Sequence, residues 1–173
     1  MDSSSAAKDE RARKRVESLV TAYNKVMPST NFDVPFTKTI TVVSAQADRP
    51  PNGTAKATFH GSIPIQYVNN HGPGREIHGG AVTTILDNLT SSATLAHSKY
   101  WGQGVTRSMN VHYFAAPRAG DEIFIEAEVL HIGKAVVTVQ GVMKRASDGV
   151  VLAVCVHEKV NSAGGGGKAF SNL

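Results

Sequence analysis

The chain has 173 residues, 41% of them hydrophobic and 18% charged, with a formal net charge of +4. That length suits one globular domain, the apolar share suits a packed core, and the low net charge excludes a disordered polyelectrolyte. No stretch approaches the roughly 18 to 20 consecutive apolar residues of a membrane helix, and the first residues lack the apolar segment of a secretory signal, so the chain reads as soluble and intracellular. The single cysteine, Cys155, excludes an intramolecular disulfide, and its place in an apolar run predicts a buried, inert thiol. The histidines never fall in a ligand-spaced group with a second cysteine, so no metal site is expected. Basic residues are scattered and not interleaved with aromatics. This argues against nucleic acid and is compatible with an anionic small molecule.

In chain order, residues 1–9 are small and polar and are expected to fray. Val16, Leu19, Val20, Tyr23, Val26 and Met27 then recur at helical spacing, up to Pro28. Two β-branched runs, 36–45 and 54–65, flank Pro50-Pro51-Asn52-Gly53 and predict a hairpin. A loop rich in Asn, Gly and Pro leads to the stretch 77–98, where Val82, Ile85, Leu86, Leu89, Ala93 and Ala96 mark the long helix. Four strands follow, over 105–114, 122–131, 134–145 and 149–160, the last two joined by Ser147-Asp148-Gly149. Ile123, Ile125, Ala127 and Val129 alternate with Glu122, Glu126 and Glu128, so one face of that strand is the buried one. Tightly linked strands must be antiparallel, and the long helix has to bury its apolar stripe on them. The class is α+β, a sheet of five or six antiparallel strands wrapped around one helix, with an extra N-terminal helix. Residues 1–35 form an N-terminal extension, 36–160 the main domain and 161–173 a flexible Gly-rich tail.

Asp87 is the only formally charged residue between Ile77 and Ser98. A carboxylate on a largely buried helix is costly unless it is hydrogen-bonded or functional. Thr83, Thr84, Thr90 and Ser91 lie three or four positions away, so a satisfied structural aspartate or a wet helix face would also explain it. The helix opens with His78-Gly79-Gly80, where backbone N–H groups and the positive end of the helix dipole are open to a carbonyl or an oxyanion. Asp87 follows Gly80 by seven residues, roughly 10 Å along the axis, so the two features would act on one atom best across a dimer interface. Thr106, Ser108, Asn110 and His112 alternate along the next strand, as a solvent face or as a face meeting a partner. In the second case Thr106 or Ser108 could bond a water held by Asp87.

The runs HGGAVTTILDNLTSSA, GVTRSMNVHYFAAPRAGDEIFIEAEVLHIGK and SDGVVLAVCVHEKV resemble the hotdog-fold acyl-CoA thioesterases of the PaaI type, including the acyl-coenzyme A thioesterase 13 group. The resemblance covers about residues 36–160. It implies a hotdog fold, a homodimer as the minimal active unit with dimers pairing into a homotetramer, and hydrolysis of an acyl-CoA to acid and CoA. It further implies that Asp87 activates the water, that the Gly79 N–H of the other protomer polarises the carbonyl, that Asn70 (or Asn69) helps hold it, and that Thr106 supplies the assisting hydroxyl. Substrate contacts would fall to His78, Gly80, Asn88, Ser91, Lys134 and Arg107, with Lys144, Arg145 and His157 as further cations for the CoA phosphates. No metal or redox cofactor is required, and CoA itself is part of the substrate. Two other readings compete. The run His71-Gly72-Pro73-Gly74 resembles a segment of hotdog dehydratases, which would make the reaction hydration or dehydration of a double bond, and the protein could also bind acyl-CoA without turnover. The expected compartment is cytoplasmic or mitochondrial, with Ser171-Asn172-Leu173 a weak peroxisomal address.

Overall fold

The computed structural model describes residues 3–50, 53–69, 74–100 and 104–161. Helix α1 (Ser3–Val26) and a single turn, α2 (Val34–Thr37), precede strands β1 (Thr41–Arg49) and β2 (Thr54–Ser62). Helix α3 (Gly79–Ala93) follows, then β3 (Val105–Tyr113), β4 (Glu122–Ile132), β5 (Val136–Arg145) and β6 (Val151–Val160). The six strands make one antiparallel sheet in the order β1-β2-β4-β5-β6-β3.

The buried stripe of α3, with Val82, Ile85, Leu86 and Leu89, packs in one core with Phe59, Ile123, Ile125, Val139, Met143 and Leu152 of the sheet. Each such aliphatic side chain contributes about 1.5–3 kcal/mol by leaving water. The alternation expected on β4 is borne out, with Ile123, Ile125, Ala127 and Val129 all buried. Gly141 on β5 is where helix and sheet come closest. A Cβ there would stand 2.7 Å from Thr90 Cγ2 and 2.8 Å from Cys155 Sγ, so only glycine admits α3 at this height. Gly149 holds φ at +73° in the β5–β6 turn, a conformation that glycine adopts without strain.

Four expectations need correction. Residues 1–9 do not fray as a unit: α1 begins at Ser3, because Asp9 accepts from the Ala47 N–H at 2.9 Å and from Arg49 Nη2 at 2.5 Å, tying the early turns of α1 to β1. Val26 is exposed, the buried stripe of α1 running instead through Ala12, Val16 and Leu19. Phe36 is not in the first strand. It lies in α2, buried, and β1 starts five residues later at Thr41. The long helix is also shorter than 77–98: it ends at Ala93 and tightens into a 3-10 turn over Thr94–Ala96. Ser92 and Thr94 donate their hydroxyls back to the Asn88 and Ser91 carbonyls, competing with the regular helical pattern.

Candidate active site

α3 starts where the extended His78 turns its ring back as an N-cap, Nδ1 accepting from the Gly80 N–H at 2.9 Å. That bond consumes the Gly80 donor. The Gly79 N–H finds no acceptor among the described residues. The Tyr113 hydroxyl lies beside it, donating to the Gly79 carbonyl at 3.3 Å and lying 2.6 Å from Thr83 Oγ1.

Two helical turns further on, Asp87 is about one-third exposed at the wall of a cavity of about 120 Å³. Leu19, Val20 and Tyr23 of α1, Ile40, and Asn88, Ser91 and Ser92 of α3 line it, together with Lys159 of β6. Thr106 donates its hydroxyl to Asp87 Oδ1 at 2.7 Å. His157, fully buried, has Nε2 at 3.2 Å from the same oxygen and at 3.0 Å from Thr106 Oγ1, while Nδ1 lies 2.7 Å from Thr90 Oγ1. Burial pushes the His157 pKa down to about 4, with Lys159 acting in the same direction and the Asp87 charge opposing, so the ring is neutral near pH 7. The proton of that neutral ring belongs on Nε2, where it meets the carboxylate. The opposite tautomer would aim a lone pair at Asp87. Nδ1 then shares the single Thr90 hydroxyl proton with the Leu86 carbonyl, which lies 2.6 Å from Thr90 Oγ1. Asp87 is thus held by two donors, one from β3 and one from β6, and its other oxygen meets no partner among the described residues.

A bulge makes this arrangement possible. β3 pairs Thr106 with Lys159 but Ser108 with Glu158, so Arg107 is an extra residue and the side-chain alternation shifts. Thr106 therefore turns toward α3, whereas Ser108 turns away and donates to Glu158 Oε2 at 3.1 Å. The expectation that Thr106, Ser108, Asn110 and His112 share one face does not hold.

The other sequence candidates separate into groups. Ser91 lies in the cavity wall and accepts from Lys159 Nζ at 2.7 Å. Asn88 is there too, its amide donating to Asp33 at 2.8 Å, an aspartate that also accepts from the Tyr23 hydroxyl. Lys134 is exposed at the β4–β5 turn, and Arg107 is exposed on the bulge. Asn70 and His71 lie outside the described residues. His157 is not a surface cation for phosphate, as its burial and neutral ring show, and Lys144 and Arg145 are engaged with Glu126 and with Asp121 and Asp148. Cys155 is buried as expected, its thiol pushed up to about 11 by burial. Among the described residues no three His, Cys, Asp or Glu side chains gather as a metal site would require, and no helix is long and apolar enough to cross a membrane. Sequence reasoning missed His157 and Lys159 as inward-facing groups. The signal was there: Ala153, Cys155, His157 and Lys159 fall at every second position of one strand.

A sheet curled around one helix with its polar residues at the helix flank is the hotdog architecture. Solved hotdog structures superpose on the chain: zebrafish thioesterase superfamily member 2 (TM-score 0.68, 22% identity, 84% of this chain and 96% of that one) and the Escherichia coli PaaI protein (0.62, 16%, 88% and 94%). A hypothetical thioesterase from Streptococcus pneumoniae, solved with coenzyme A, also matches (0.57, 16%, 72% and 87%). In sequence, residues 76–152 match the family model of the thioesterase superfamily, a span that includes Gly79, Asp87 and Thr106. Human acyl-coenzyme A thioesterase 13 is 30% identical over 83 residues, 48% of this chain, and the mouse protein 28% over 94 residues. The chain resembles the hotdog-fold thioesterases of this type, and the match spans 59% of the human relative's length.

Proposed function

We propose that the protein is an acyl-CoA thioesterase that hydrolyses its substrate to a free acid and CoA. The observation that carries this reading is the Asp87 carboxylate at the wall of a cavity, held at one oxygen by Thr106 and His157 and without a partner at the other among the described residues. Water bound to Asp87 gives up a proton to it as the water oxygen bonds to the acyl carbon. The carbon–sulfur bond then breaks, and the proton passes to the departing CoA sulfur. Attack by the carboxylate itself, through an anhydride that water then opens, uses the same residues. Neither route calls for a metal or a redox cofactor. Thioesterase superfamily residues in the segment 76–152 and the coenzyme A held by the Streptococcus pneumoniae relative support this substrate class.

The carbonyl partner is the Gly79 N–H, and the resemblance to the thioesterases assigns Asn70 or Asn69 to assist it. Gly79 and Asp87 are eight residues apart on one helix, about 12 Å along the axis, too far to serve one carbonyl within a protomer. β3 is the sheet edge with neither face fully covered, and Val105, Tyr113 and Phe114 are exposed along it. Pairing of two such edges builds the dimer that brings Gly79 of one protomer toward the Asp87 of the other. A tetramer of two dimers is the full assembly. Release of CoA thiol from a chain-length panel of acyl-CoAs that includes hydroxyacyl and dicarboxylic esters tests the reading. Wild type should hydrolyse at least one member, and Asp87→Asn should lose about a hundred- to ten-thousand-fold while keeping its fold and oligomeric state. No hydrolysis by a folded wild-type oligomer, or full activity in Asp87→Asn, overturns it.

A further inference from the structure

Lys159 is a lysine where a strand inside a core would ordinarily carry an aliphatic side chain. It is 4% exposed, on the inward face of β6, and lines the same cavity as Asp87. Its ammonium has three donors, and one of them goes to Ser91 Oγ at 2.7 Å. No carboxylate among the described residues is close enough to form an ion pair with it; Asp87 acts on it only through space. Burial lowers its pKa, the mark of an ammonium that has given up water without full replacement. A buried cation with two donors that meet no partner among the described residues is expensive, and an aliphatic residue would serve packing better.

Its position relative to the proposed chemistry is set by α3. Ser91, which Lys159 contacts, lies one helical turn beyond Asp87, roughly 5–6 Å along the axis. A group entering the cavity past the Asp87 carboxylate reaches the ammonium within a few bonds of its reacting carbon. The cavity holds about 120 Å³, smaller than one that accommodates a benzene-sized guest, and its remaining lining is apolar on the α1 side through Leu19 and Val20. We infer that Lys159 is a specificity-determining residue, and that the cavity takes a short acyl group carrying an oxygen acceptor, such as a hydroxyl or a carboxylate, a few bonds from the thioester carbon. The acceptor occupies the free donors of Lys159. A plain aliphatic chain leaves them unpaired, and a site of that kind discriminates strongly against the analogue lacking the polar group.

This inference rests on the thioesterase reading, and the experiment separates the two. Specificity constants are measured for butyryl-CoA, 3-hydroxybutyryl-CoA and succinyl-CoA with wild type and Lys159→Met. Wild type should favour an oxygen-bearing ester over butyryl-CoA by about 10- to 100-fold, and K159M should bring that ratio close to one. A preference for the hydroxy ester identifies a neutral acceptor, and one for the succinyl ester identifies an anion. A wild-type ratio near one overturns the inference alone, whatever the variant does. So does a wild-type preference that survives in K159M, or in Lys159→Gln if K159M does not fold. Absence of turnover with all three esters, and with the wider panel above, overturns the thioesterase reading and this inference with it.

Discussion

The two edges of the sheet are treated in opposite ways by the same chain. At the β1 edge, α1 lies across the strand, Ala12 and Val16 are buried, and the Asp9 carboxylate takes up the Ala47 N–H that a bare edge would leave to solvent. At the β3 edge no helix covers the strand: seven of its nine residues are exposed, including Val105 and Tyr113. Edge strands are normally blunted, so one finished edge and one open edge in a single sheet single out the second as the side where the proposed dimer would form. The Thr106–Asp87–His157 cluster lies at the open side.

That division can be tested from its largest expected effect downward. Acid should act through the open side. The pKa of His157 is lowered to about 4 in the fold against about 6.5 in the unfolded chain, so between those values the unfolded state binds the extra proton. Stability is therefore full above pH 6.5 and falls as the pH drops toward 4, by roughly 3 kcal/mol. Denaturant unfolding across that range should show this slope, and His157→Gln should flatten it. An unaltered slope would move acid sensitivity elsewhere. At the covered edge, Val16→Ala should lower unfolding free energy by about 2 kcal/mol while leaving turnover per folded molecule as it was. The counterpart at the open edge, Val105→Lys, should leave protomer stability within about 0.5 kcal/mol and shift the elution volume toward monomer. Loss of stability there, with no change of assembly, would erase the contrast. The smallest effect belongs to Thr106→Val, about tenfold in kcat/KM, with Thr106→Ser close to wild type because the hydroxyl is what Asp87 uses.

The sequence carried the strand pattern, the hairpin turns and the isolated carboxylate, because each is a local signal: period-two alternation on β4, Asp-Gly chemistry at 148–149, one charge in an otherwise uncharged helix. What escaped it depended on other elements. The early turns of α1 are ordered by Asp9 reaching a strand 38 residues away, and Phe36 is drawn into a helical turn by the core beneath it. His157 and Lys159 read as the polar end of a strand because nothing local says that α3 reaches over that end of β6 with Asp87, Thr90 and Ser91. The bulge was equally silent in the sequence, and it decides which hydroxyl meets the carboxylate.

Arg107 gives β3 an odd number of residues where the pairing with β6 counts an even one, and the consequence concerns mutation rather than energy. Substitutions along the strand leave this parity untouched. Removal of Arg107 would heal the ladder and yield a more regular strand with Thr106 still opposite Lys159, whereas one further residue between Thr106 and Ser108 would turn the Thr106 hydroxyl away from α3. The proposed activity thus depends on Thr106 staying opposite Lys159, and a change of strand length that breaks this pairing would take the hydroxyl away from Asp87 even where every side chain is kept.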